Sequence, residues 1–133
     1  MTEKLPTRGQ LERELSQKIQ ALYRQNLGHQ PSKVTCKLFD DKLAIILDDS
    51  ITSAEQILVE GGKEELAEKV RVNIDDAIQP ELKQLIANIL AVEILDILSD
   101  ATLDTGRTGM IAVLGATPKI RNSDNFTETK TNK

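Results

Sequence analysis

The sequence predicts an α+β domain: a four-stranded, mainly antiparallel sheet made of two β-hairpins and covered by helices on one face. Three observations carry this. A capped helical stripe opens the chain, two runs of alternating apolar residues follow it, and a second pair of strand-like runs closes it after a long helical stretch. In the order helix, strand, strand, helices, strand, strand, the hairpins build the sheet and the helices gather on one side of it.

The first element starts at Thr7-x-x-Gln10, the spacing at which both side chains satisfy free amides at a helix start. Leu11, Leu15, Ile19, Leu22 and Leu27 then trace one helical stripe, and Gly28 supplies a natural stop. After a turn through His29 and Pro31, Lys33 to Phe39 alternates, with Val34, Cys36 and Leu38 on one face and Thr35, Lys37 and Phe39 on the other. Lys42 to Asp48 alternates likewise through Leu43, Ile45 and Leu47, so Asp40-Asp41 reads as the turn of a hairpin.

Thr52-x-x-Glu55 repeats the capping-box spacing and opens a short helix that Gly61-Gly62 ends or bends, with Ile57 and Leu58 as its apolar contacts. Leu66, Val70, Ile74, Ala77 and Ile78 form the next stripe, and Leu82, Leu85, Ile86, Ile89 and Leu90 continue it beyond Pro80. That proline either starts a new helical turn or kinks the helix. Ala91 to Leu98 suits either a helix extension or a buried strand. The dense turn signals from Asp100 to Gly109 favour a strand, paired with Thr108 to Leu114 in a second hairpin. The domain is expected over 7–115. From 116 to 133 apolar content collapses, and a disordered polar tail is expected.

Composition narrows the function. The 133 residues suit one domain, and a net charge of −4 argues against a general nucleic-acid binder. No apolar run approaches the roughly 20 residues that span a bilayer, so direct membrane insertion is not expected. The start lacks a signal peptide's apolar centre, and a lone Cys36 fits a reducing compartment, so the chain is expected to be cytoplasmic. Cys36 itself reads as a small core residue. One Cys and one His leave no Cys/His metal cluster, and no cofactor is expected. The carboxylates Glu64, Glu65, Glu68, Asp75 and Asp76 read as a solvated helix face rather than metal ligands. His29, beside a helix end, reads as a partner of terminal carbonyls.

Chemistry concentrates between Ser99 and Gly109, where hydroxyls, two carboxylates, a guanidinium and two glycines fall between strands. The plainer reading is a hairpin loop whose Asp and Thr side chains bond the turning backbone. The sharper one is an anion cage. Arg107 would hold the anion bidentately, Thr102 and Thr105 would complete the cage, Asp104 or Asp100 would orient Arg107, and Arg71 and Lys33 would add donors. Asp104-Thr105-Gly106 also occurs around aspartic-protease nucleophiles, but three residues are too short a match and that chemistry needs two such aspartates. An enzyme using Asp100 and Asp104 as acid and base is disfavoured because a wet polar turn does not raise a carboxyl's pKa.

The stretch from Gly28 through Pro31 and the first hairpin to Ile51-Thr52 and Glu55, with Ser99-Asp100 and Asp104-Thr105-Gly106 later, resembles the MpsC-like family over about Leu11 to Leu114. The resemblance implies a link to a sodium-translocating, membrane-potential-generating system whose membrane partners are tied to inorganic-carbon uptake. It implies no catalytic residues. Together, residues and resemblance lead to the expectation of a non-enzymatic regulatory or accessory protein, a homo-oligomer. It would bind a small anion such as bicarbonate, or a membrane transport partner. A pure oligomeric interaction module without a small ligand is the alternative.

Overall fold

Thr7 starts the first helix as its spacing requires. In the computed structural model, which describes residues 4–121, the Thr7 hydroxyl accepts from the Gln10 N–H at 3.1 Å and the Gln10 side chain accepts from the Thr7 N–H at 2.8 Å. Helix α1 spans Arg8–Leu27 and ends on Gly28, whose φ of 67° is a left-handed cap. Strands β1 (Lys33–Phe39) and β2 (Lys42–Asp48) turn through Asp40-Asp41, with Asp40 at a φ of 55° that aspartate tolerates better than most residues. Helix α2 (Ser53–Glu60) carries the second capping box, Thr52 with Glu55. Helix α3 (Glu64–Leu90) runs through Pro80 without a break. Pro80 is exposed, so the carbonyl it leaves without an amide partner faces water.

The second hairpin pairs β3 (Ile94–Thr102) with β4 (Arg107–Leu114). The sheet order is β1-β2-β4-β3, every pairing is antiparallel, and β1 and β3 are its edges. α1 packs on β1 and on α3, α3 reaches β3, and all of this lies on one side. The core is the layer between, with Leu15, Ile19, Leu43, Ile45, Leu47, Leu82, Ile86 and Leu114 almost wholly shielded. Each such aliphatic side chain contributes about 1.5–3 kcal/mol of burial.

Several expectations are corrected. Ala91 is the left-handed cap of α3 (φ 57°), not the first residue of a strand. β3 instead runs on through Ser99 and Asp100 to Thr102, so the loop shrinks to 103–106. An edge strand can show Ser and Asp to solvent on one side without breaking its ladder, which is why the polar run misled. In the first half of α3, Leu66 is 46% exposed and Ala77 is exposed, while Ala67 and Arg71 are buried. On α2 the expected apolar contact Ile57 is exposed, Leu58 is half-buried and Glu55 is buried.

Past β4 the chain stays on the body as far as Arg121, whose N–H donates to Pro6 O at 2.8 Å and whose Nε donates to Leu5 O at 3.1 Å. Ile120 packs against the core. The rest of the expected tail, 122–133, lies outside the described residues.

Candidate functional site

The residues of the expected anion cage divide between the two sides of the sheet. Arg107 opens β4 opposite Thr102, and its Nε donates to Asp48 Oδ1 at 2.8 Å with the side chain 60% exposed. Lys33 is the register partner of Asp48 on the other flank. The structure therefore brings together one cross-strand row, Lys33, Asp48, Arg107 and Thr102. Asp48 orients Arg107, the role the sequence suggested for Asp100 or Asp104. The Asp100 carboxylate accepts from the neighbouring Ala101 N–H at 2.9 Å. The Thr102 and Thr105 hydroxyls bond each other.

Arg71 sits on the helix side of the sheet, with four of its five N–H donors taken inside the protein. It is buried between α2 and α3, where Nε and Nη2 donate to the two Glu55 carboxylate oxygens at 2.7 and 2.6 Å. Nη2 also donates to Ser50 O at 2.9 Å and Nη1 to Asp75 Oδ1 at 3.3 Å. The expectation of Arg71 as a free anion donor is corrected: a guanidinium with four hydrogen bonds inside the protein is a structural tie. Thr52 adds its N–H and hydroxyl to Glu55 Oε1, and the Ser50 hydroxyl reaches Thr108 Oγ1 at 2.8 Å and Gly106 O at 3.1 Å. The network fastens the β3–β4 turn to the loop between β2 and α2. Gly106 makes that closure possible, with a φ of 74° and the Asp49 backbone close by.

Burial works against ionisation of Glu55, but Arg71 and the Thr52 donors overcome it and hold the carboxyl below its usual range. Burial likewise opposes the charge on Arg71, and Glu55 and Asp75 outweigh it, raising its pKa. Asp75 goes the other way: burial raises it, Arg71 only partly offsets this, and Glu55 and Asp76 add to the rise. Burial, with Asp75 adding, also raises Tyr23. The Cys36 thiol is pushed up to about 11, chiefly by burial, which keeps it an inert core group.

Beside this network a cavity of about 660 Å³ opens between α3 and β3. Glu64, Glu68, Asp75, Asp76 and Asp104 line it, with Arg71 and the chain from 99 to 103, so its acids outnumber its one guanidinium. Its field is negative, the wrong sign for bicarbonate or phosphate. Among the described residues no group of three or more Asp, Glu, His or Cys is arranged to hold a metal ion. His29, just past the end of α1, donates from Nε2 to Asp49 O at 2.8 Å, a loop carbonyl in place of the helix-end carbonyls expected.

The other side of the sheet is uncovered among the described residues. Its rows run Phe39–Lys42–Val113–Asp96, Lys37–Ala44–Ile111–Leu98 and Thr35–Ile46–Gly109–Asp100. Phe39, Ile46 and Leu98 stand 47%, 42% and 57% exposed there. Period-2 alternation in the first hairpin foretold this face; the buried Glu55–Arg71 pair was missed. Its signal was present, because Ala67, Arg71, Asp75, Ile78, Leu82, Ile86 and Leu90 lie three or four residues apart on one stripe.

No helix among the described residues is long and apolar enough to cross a membrane. No curated protein and no solved structure matches the chain. A family model described as Na+-translocating membrane potential-generating system (MpsC) matches residues 7–116, most of the chain. The capped α1, both hairpins and the helices between them all fall within that match, and the chain belongs to the MpsC family.

Proposed function

We propose that this chain is a non-enzymatic, cytoplasmic accessory protein of the sodium-translocating system for which its family is named, and that it works by docking protein on its bare sheet face. The observation that carries this is the apolar centre of that face, where Ile46, Ile111, Val113 and Leu98 adjoin with nothing over them among the described residues. Contiguous apolar surface of this kind on a small domain marks an interaction site. In cells lacking the protein, wild type should restore sodium-dependent membrane potential. An Ile46→Asp/Leu98→Asp variant of normal stability should not, and full restoration by that variant would defeat the reading.

A second reading keeps the small anion, bicarbonate included, linked to inorganic-carbon handling. It is favoured by one observation: Lys33 and Arg107 flank Asp48 at one end of the bare face, and only the Nε of Arg107 is engaged among the described residues. An anion there would have to displace or share with the Asp48 carboxylate, which weakens the reading.

A further inference from the structure

We infer that the occupant of the bare sheet face is a second copy of this chain, related by a two-fold axis along the strands, so that β1 of each copy lies over β3 of the other. The inference rests on the docking reading above and supplies its partner.

The face is polarised across its width. Lys33 and Lys37 stand on the β1 edge and Asp96 and Asp100 on the β3 edge; between them lie Ala44, Ile46, Ile111 and Val113, with Lys42 at one end and the paired Asp48 and Arg107 at the other. Sheets packed face to face keep their strand directions within about 30°, which leaves two choices of two-fold axis. An axis across the strands sets β1 over β1 and β3 over β3, lysine against lysine and aspartate against aspartate. An axis along the strands exchanges the edges, so lysine meets aspartate on both flanks while the apolar middles still meet. A two-fold contact makes each pairing twice, so the charge pattern selects between the axes doubly. Lys37 is ion-paired with Glu12 at 4.0 Å, but its side chain is 72% exposed, so its ammonium also borders the open face.

Each sheet edge carries an obstacle to strand addition, and the face between them carries none among the described residues. The outward Leu38 N–H of β1 is taken by Glu12 Oε2 at 2.8 Å. β3 is irregular between Ile94 and Asp96, and such a bulge spoils the template an incoming strand needs. Four strands about 4.8 Å apart, with about 3.3 Å of rise per residue, make a footprint of about 20 by 23 Å. That is near the low end for a specific contact, so the dimer is expected to dissociate on dilution.

The test is sedimentation velocity of the full chain from about 1 to about 100 µM. Wild type should reach a dimer in the upper range. Lys33→Glu/Lys37→Glu and Asp96→Lys/Asp100→Lys should each associate at least about tenfold more weakly, and their equimolar mixture should regain the dimer because opposed edges are again complementary. Unfolding midpoints near wild type establish that the variants fold. A wild type that stays monomeric overturns the inference, as does a single-edge variant that dimerises like wild type or a mixture that stays monomeric. None of these results touches the docking reading, which the Ile46→Asp/Leu98→Asp complementation decides separately.

Discussion

Arg71 and Glu55 meet through two parallel hydrogen bonds of 2.7 and 2.6 Å, with their side chains 4% and 0% exposed. A charge pair so far from water stabilises chiefly by each partner's need for the other. Arg71→Ala or Glu55→Ala is therefore expected to cost about 3–5 kcal/mol, because the first leaves Glu55 a buried carboxylate without its guanidinium and the second leaves Arg71 with Asp75 as its one acidic partner. The double variant should cost well under the sum. Urea unfolding of the four chains as a double-mutant cycle measures this.

The acid limb of stability has a defined sign. Glu55 has a folded pKa below its unfolded value near 4.5. The stability it contributes is present above that value and is lost as pH falls through the unfolded and then the folded pKa. Asp75, raised in the fold, has the opposite effect, since acidification relieves the cost of its buried charge. Unfolding midpoints between neutral and acid pH should fall less steeply in Glu55→Gln than in wild type, and more steeply in Asp75→Asn. A reversed order would contradict the assigned environments.

Much of the architecture could be read from residue spacing. Thr7 with Gln10, Thr52 with Glu55 and the left-handed Gly28 act through their own neighbours, so sequence patterns capture them. The alternation from Lys33 to Asp48 specified the hairpin because only one of its faces is buried. What escaped depends on partners distant in the chain. Ser99 and Asp100 look like loop residues until one knows that β3 is an edge strand with β4 on one side alone. Arg71 looks like an exposed helix cation until Glu55, sixteen residues earlier, is folded against it. The surroundings of the expected cage residues escaped for the same reason: Asp48, fifty-nine residues from Arg107, holds the guanidinium, and Arg71 lies on the other side of the sheet.

Arg107 and Asp48 form a largely exposed pair, so Arg107→Ala is expected to change stability by less than about 1 kcal/mol. Titration calorimetry with sodium bicarbonate should give the same heat for this variant and for wild type. A saturable heat present only in wild type would favour the anion reading over protein docking.

Thr108 and Ser50 share a hydrogen bond of 2.8 Å where β4 begins, both fully buried. Thr108→Val keeps the shape and removes the hydroxyl, leaving Ser50 its bond to Gly106 O. The expected loss is about 1 kcal/mol, read from thermal unfolding. Amide exchange in 103–106 should stay near wild type, since Ser50 still holds that turn through Gly106 O.

The central claim, that the uncovered side of the sheet is occupied when the protein works, is tested most directly by hydroxyl-radical footprinting of the full chain in intact cells and in dilute solution. Phe39, Ile46 and Leu98 should label readily in dilute solution and be protected in cells, while Ile57, 68% exposed on α2, should label equally in both. Equal labelling of the three sheet residues in cells and in solution would contradict the account.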